Sequence, residues 1–212
     1  MVGDSAQLFI VLIDGQGAHI SLGLQLENHR VIVTQIASKL GGLKKAKEYL
    51  SKCLYYVNIG SNDYLNNYFL PEYYPTSTIY TPEQYAEALI DELILNLQVL
   101  HQIGARKFSL NGLGLVGCIP QAITLRGKNG SSTCVEEDNK AVLLFDDKLR
   151  SLVDKLNKEF IDSKFVFVDQ AMIKSENYPM LKEIYKLNIK FDQCDYGFHF
   201  RYEGYDKSVL RS

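Results

Sequence analysis

Apolar positions along this chain follow two patterns, stripes at helical spacing and short continuous runs. Between residues 21 and 40, Leu22, Leu26, Ile32, Ile36 and Leu40 recur as on one helix face, and Gly41-Gly42 supplies the stop. Residues 44–50 form a short basic helix leading into Cys53. Leu54, Tyr55, Tyr56, Val57 and Ile59 then make an aromatic and β-branched run that predicts a strand. A polar connection over 71–80 precedes a well-marked helix, with Thr81 as N-cap, Pro82 in the first position and Gln84 placed to close a capping box. Its face is Tyr85, Leu89, Leu93, Leu97 and Leu100, and Gly104 ends it. A strand follows over 107–111, then a long amphipathic helix over 135–160 carrying Val142, Leu149, Leu152, Leu156 and Phe160, then a strand over 164–169. Residues 8–13, bounded by Asp14-Gly15, read as another buried strand, and 178–187 as a last helical stretch.

Strands alternating with helices of this length predict an α/β protein of three layers, α/β/α, around a short parallel sheet. With 212 residues and no repeat or linker, the chain is expected to form a single domain over 1–212. A hydrophobic share of 46% and a charged share of 23% fit a soluble globular protein, and a net charge of -2 gives no reason to expect nucleic acid or an anionic membrane as partner. The opening MVGDSAQLFIVLIDG lacks a basic n-region, and its apolar run is too short for a signal peptide or a membrane span. The tyrosines crowd between Tyr55 and Tyr85, which predicts a large amphipathic surface there.

The candidate chemistry starts where the first clear strand breaks, at Gly60-Ser61-Asn62-Asp63. Open α/β sheets bind ligands just outside the carboxyl ends of their strands. The Asn62 amide is neutral and offers two N–H donors, suited to an oxygen that gains charge in acyl transfer. The bland alternative is an ordinary turn whose Asn and Asp bond their own backbone. Gly112-Leu113-Gly114-Leu115-Val116-Gly117 spells the dinucleotide fingerprint. That fingerprint needs a helix opening on the phosphate, whereas Cys118-Ile119-Pro120 and a loop as far as Ser132 are expected instead, so the match is read as coincidence. His29 reads as a surface histidine with no second ligand at a useful spacing, and neither a metal nor a cofactor is expected. Cys53, Cys118, Cys134 and Cys194 include no Cys-x-x-Cys pair. Cys118 and Cys134 bracket a polar loop, and their spacing fits a disulfide or two buried thiols equally. Asn129-Gly130-Ser131 in that loop is a glycosylation sequon, relevant to a secreted protein.

The segment VNIGSNDYLNNYFLP resembles the third conserved block of the GDSL esterase/lipase family, the plant-type branch of the SGNH hydrolases. The likeness runs from about Gly17 to Val168, and SLNGLGLVGCIP resembles the family's strand-loop segment after its fourth strand. The resemblance implies a carboxylic-ester hydrolase acting on lipid or other acyl esters, with a serine nucleophile, an Asp-x-x-His pair and an oxyanion hole. Residue by residue, only Asn62 has a match, as the oxyanion asparagine. Gly3-Asp4-Ser5 repeats three letters of the nucleophile motif, but only Met1 and Val2 precede it, so a flexible tail is expected there rather than a nucleophile. Asp195 and His199 are spaced by four rather than three. The chain is therefore expected to be a truncated member, divergent over 1–16 and 190–212 and lacking the family's first strand. Such a loss would expose a sheet edge and favour self-association. The alternative is a catalytically silent relative keeping an acyl or glycan groove. Members of the family are usually secreted.

Overall fold

The structure, a computed structural model, describes residues 21–127, 133–171 and 187, together with the backbone of 198–200. Ser21 caps the first helix, α1 (Leu22–Leu40), its hydroxyl accepting from the Leu24 N–H at 3.2 Å, and Gly41 closes it in the left-handed conformation at φ 82°. The buried stripe of α1 is rotated from the expected one. Leu22, Leu26 and Ile36 are buried, but Val33 and Ala37 replace Ile32 and Leu40, which are 37% and 38% exposed. The reason is a second neighbour: Val33, Ile36 and Ala37 pack on Ala46 and Leu50 of α2 (Leu43–Leu50). His29 also faces inward, against the surface expectation, because the Tyr55 ring lies beneath it.

β1 (Leu54–Val57) is followed by a short helical turn, α3 (Ser61–Asp63), continuing into a π-helical turn over Tyr64–Tyr68. After α4 (Thr76–Ile79) comes α5 (Pro82–Gln102). Both halves of its capping box form: the Gln84 N–H donates to Thr81 Oγ1 at 3.3 Å, and the Thr81 N–H donates to Gln84 Oε1 at 2.9 Å. Every residue of its expected face is buried, and each large one contributes roughly 1.5–3 kcal/mol through burial. β2 (Lys107–Asn111), a 3-10 turn over Val116–Cys118, α6 (Pro120–Arg126), α7 (Glu136–Glu159), β3 (Lys164–Val168) and β4 (Phe198–Phe200) complete the described elements. α6 lies where a loop was expected; Pro120 starts it at the position proline favours.

The sheet is parallel, in the order β3-β2-β1-β4. Tyr55, Phe108 and Phe165 are in register across β1, β2 and β3, and the Phe108 and Phe165 rings stack at 4.5 Å. Together with Val57, Leu110 and Phe167 they join α5 and α7 in one core. Ser109, Asn111, Val166 and Val168 alternate with them and are buried too, so both faces of β2 and β3 are covered. The backbone edge of β1 opposite β2 is taken by β4, with Tyr55 opposite Phe198 and Val57 opposite Phe200. The run over 8–13 and most of 178–187 lie outside the described residues.

Thr81→Ala removes half of the capping box without touching the core. It is expected to lower the unfolding free energy by about 1 kcal/mol, seen as a lower urea midpoint at unchanged slope, with Thr81→Ser close to wild type.

Candidate active site

The chain leaves β1 at Val57 and turns at Gly60, whose φ of 116° disfavours any side chain. A Cβ on Gly60 would also meet Leu113 Cδ2 at 3.2 Å. This turn delivers Asn62, half-buried, just beyond the carboxyl end of β1. Asn66, one turn on, donates its Nδ2 to Asn62 Oδ1 at 3.0 Å. That bond occupies the amide oxygen, and the Nδ2 hydrogens have no partner among the described residues. Asn111 ties the neighbouring strand ends together, its Nδ2 donating to the Val57 carbonyl at 2.8 Å.

Behind Asn62 the segment is fastened from inside. The Tyr85 hydroxyl donates to the Asp63 carbonyl at 3.1 Å, and the Tyr68 hydroxyl donates to the Tyr80 carbonyl at 3.0 Å. Tyr64 packs edge-on against Tyr85 at 5.2 Å, and Tyr68 stacks on Tyr85 at 4.6 Å. The tyrosines divide here: Tyr55, Tyr64, Tyr68 and Tyr85 are buried in the core, Tyr56, Tyr74 and Tyr80 are partly buried, and Tyr73 is exposed. Burial pushes the Asp63 carboxyl from 3.8 up to about 7, against the pull of its own backbone N–H.

The loop after β2 lies beside this turn, and each fingerprint glycine has a packing reason. A Cβ on Gly112 would stand 2.8 Å from Asp146 Oδ2, and one on Gly117 would stand 2.1 Å from the Val135 carbonyl oxygen. Gly114, at φ 70°, lies against the Gln170 side chain. The Leu113 N–H donates to Asp146 Oδ1 at 2.7 Å, and the Gly117 N–H donates to Asn139 Oδ1 at 2.8 Å. The glycines therefore admit α7, not a pyrophosphate. Cys118 and Cys134 form a disulfide, which settles the alternative left open by their spacing; Cys53 is disulfide-bonded as well. Arg126 donates from Nε and Nη2 to Asp138 Oδ2 at 2.8 and 2.6 Å, with its guanidinium over the Phe69 ring.

Of the residues singled out in the sequence, Asn62 stands at the strand tips. Ser5 and Asp195 lie outside the described residues, as does the His199 side chain, while the His199 backbone pairs with Tyr56 in β4. The two histidines with described side chains are engaged elsewhere. His29 Nε2 is 3.2 Å from the Tyr55 hydroxyl, and burial lowers its pKa from 6.5 to about 4. His101 Nε2 meets Asp162 Oδ1 at 2.9 Å, and the Ser163 hydroxyl donates to the same oxygen at 3.1 Å. That trio puts the carboxylate, not the imidazole, between the other two, so the histidine has no proton to take from the serine. It borders a 360 Å³ cleft lined by Arg106, Lys107 and Lys164, at the amino ends of β2 and β3 and so at the opposite sheet edge from Asn62. Sequence reasoning missed Asn139 and Asp146, although both interrupt the apolar face of α7 near Val142 and Leu149.

A short parallel sheet with polar loops gathered beyond its carboxyl ends has the architecture of an SGNH-hydrolase-like α/β fold. Residues 14–209 match the family model for GDSL-like lipase/acylhydrolase, and the chain belongs to that family. It is 46% identical over 153 residues to the GDSL esterase/lipase At1g29670 of Arabidopsis thaliana, covering 72% of this chain and 42% of that protein. The Arabidopsis thaliana GDSL esterase/lipases At1g29660 and At4g18970 are 44% and 42% identical over the same shares. The chain thus spans 42% of the length of these curated relatives. No solved structure matches it.

The buried acid beside Asn62 gives a pH signature. An acid raised from 3.8 to about 7 holds more proton folded than unfolded across that window, so its contribution to stability is full below it and is lost as pH rises through about 7. Asp146, raised to about 6, acts in the same sense, and His29, lowered to about 4, acts oppositely. Comparison with Asp63→Asn isolates the one group. The urea midpoint of the wild type is expected to fall relative to that variant between about pH 4 and pH 7, and a difference flat in pH contradicts the assignment.

Proposed function

We propose that this chain is a carboxylic-ester hydrolase of the GDSL type acting on lipid or other acyl esters, with Asn62 as an oxyanion donor. The observation that carries the reading is the clamped amide just beyond β1, whose oxygen is bound by Asn66 and whose Nδ2 hydrogens have no partner among the described residues. When a serine hydroxyl attacks an acyl carbon, the carbonyl electron pair moves onto oxygen. A fixed, neutral N–H donor stabilises that charge without itself reorganising. The disulfides at Cys118 and Cys53 support a secreted protein in an oxidising compartment. A single SGNH-like domain spanning 1–212 is part of the same reading. Self-association through an outer sheet edge, that of β3 or of β4, is the assembly mode that fits the strand order. No helix among the described residues is long and apolar enough to cross a membrane.

The engagement of His29 with Tyr55 and of His101 with Asp162 favours a second reading, a catalytically silent relative retaining an acyl or glycan groove. Turnover of a short-chain nitrophenyl ester, paired with labelling by a serine-directed fluorophosphonate, separates the two. In the hydrolase reading Asn62→Ala lowers turnover by about a hundredfold or more, as loss of an oxyanion donor does, and an unchanged rate removes Asn62 from the mechanism. Labelling lost in Ser5→Ala would identify Ser5 as the nucleophile. Neither turnover nor labelling in the wild type leaves the silent relative.

A further inference from the structure

We propose that Asp146, a residue of α7 remote in sequence from the Asn62 block, is a positioning residue that sets the aim of the Asn62 amide. The inference rests on the reading of Asn62 given above and names the part that holds it in place. Three contacts connect the two residues. The Asp146 carboxylate accepts the Leu113 N–H at 2.7 Å, which fixes the first turn of the loop after β2. Leu113 then presses its methyl groups against Gly60, with Cδ2 and Cδ1 at 3.2 and 3.5 Å from the place a Cβ would take. Gly60 is the hinge of positive φ from which Ser61 and Asn62 follow directly.

Phe145, next to Asp146 on α7, reaches the same hinge, with Cζ 3.7 Å from that Cβ position, and its ring meets Tyr64 at 6.5 Å. One turn of α7 thus bears on the hinge of the Asn62 segment twice, through Leu113 and directly through Phe145. The carboxylate reaches the loop only because Gly112 has no side chain, since a Cβ there would be within 2.9 Å of all three carboxyl atoms. A buried carboxylate costs stability unless its oxygens are bonded, and here only Oδ1 is; Oδ2 and the nearby Tyr64 hydroxyl are both buried without a hydrogen-bond partner. A residue serving stability alone would be better replaced by an apolar one of similar volume. What Asp146 supplies is direction, through an acceptor oxygen bonded to the N–H of the residue that packs on the hinge.

The test uses the full chain with Asp146→Ala and Asp146→Asn, the latter keeping an acceptor oxygen at the Oδ1 position. The readouts are the Asn62 side-chain ¹⁵N–¹H resonances, assigned by their disappearance in Asn62→Ala, and the kinetics of a nitrophenyl ester. Asp146→Ala is expected to shift those resonances and to lower kcat by about tenfold to a hundredfold with KM within about twofold, the pattern of a misplaced transition-state donor. Asp146→Asn is expected to restore both. Unmoved Asn62 resonances in a folded Asp146→Ala overturn the proposal, and so does a kcat that Asp146→Asn fails to recover. If Asp146→Ala does not fold, Asp146→Asn with wild-type resonances and wild-type kcat supports the proposal, and displaced resonances overturn it. Should the wild type hydrolyse no ester, the functional reading fails by itself and the resonances still decide the positioning role. Shifted resonances with unchanged kcat uphold the strut and remove Asn62 from catalysis.

Discussion

The seating of α7 against the loop that follows β2 is the constraint on which the rest of the fold depends. Backbone comes so close to backbone there that a methyl group at Gly117 would overlap the Val135 carbonyl. The Val135 N–H donates to the Gly117 carbonyl at 2.8 Å, and Asn139 accepts the Gly117 N–H at the same distance. The Cys118–Cys134 bond lies alongside, and Asp138 holds Arg126 so that α6 is drawn onto the same helix. Once α7 is seated, Val142, Leu149 and Leu156 are committed to the core shared with α5, and Asn157 pairs with both backbone groups of Phe165 at the start of β3. The strand tips are thereby brought level, and the polar loops have a common floor.

Much of this was legible in the residues. The Thr81, Pro82, Gln84 signature gave the start of α5, and β2 has the bounds that its flanking polar residues suggested. Period and capping are local properties, readable without knowing what lies across the core. The misreadings involve tertiary neighbours. Ile32 and Val33 are adjacent and equally apolar, and only the position of α2 decides which is buried. His29, Tyr55, Tyr64 and Tyr85 have polar tips that suit a surface, yet their rings are buried in the core. The place of Asn62 just after a strand was readable, but the oxygen-side clamp by Asn66 depends on a helical continuation that a cluster of turn formers does not announce.

The glycines of the 112–117 loop show how a motif and its usual meaning separate. Three glycines at that spacing allow close approach of something, and what approaches is decided by the elements around them. In this chain the visitors are a carboxylate, a glutamine side chain and a carbonyl, all from the protein itself. The strand-loop likeness to GDSL esterase/lipases is the better guide, and membership of that family agrees with the placement of Asn62 beyond β1. The 360 Å³ cleft at the amino edge, lined by Ser163 and Asp162 with His101 bonded behind the carboxylate, has the residue types of a hydrolase but not their order.

The parallel pairing of β4 with β1 has a consequence for how the molecule is made. Tyr55 and Val57 find one neighbour in β2 soon after synthesis, but Phe198 and Phe200 emerge from the ribosome only after every other described element. Until then β1 presents a bare row of amides and carbonyls to its surroundings, and contacts so distant in sequence form slowly. The pairing of that flank is therefore the last of the described strand contacts whose residues are all made.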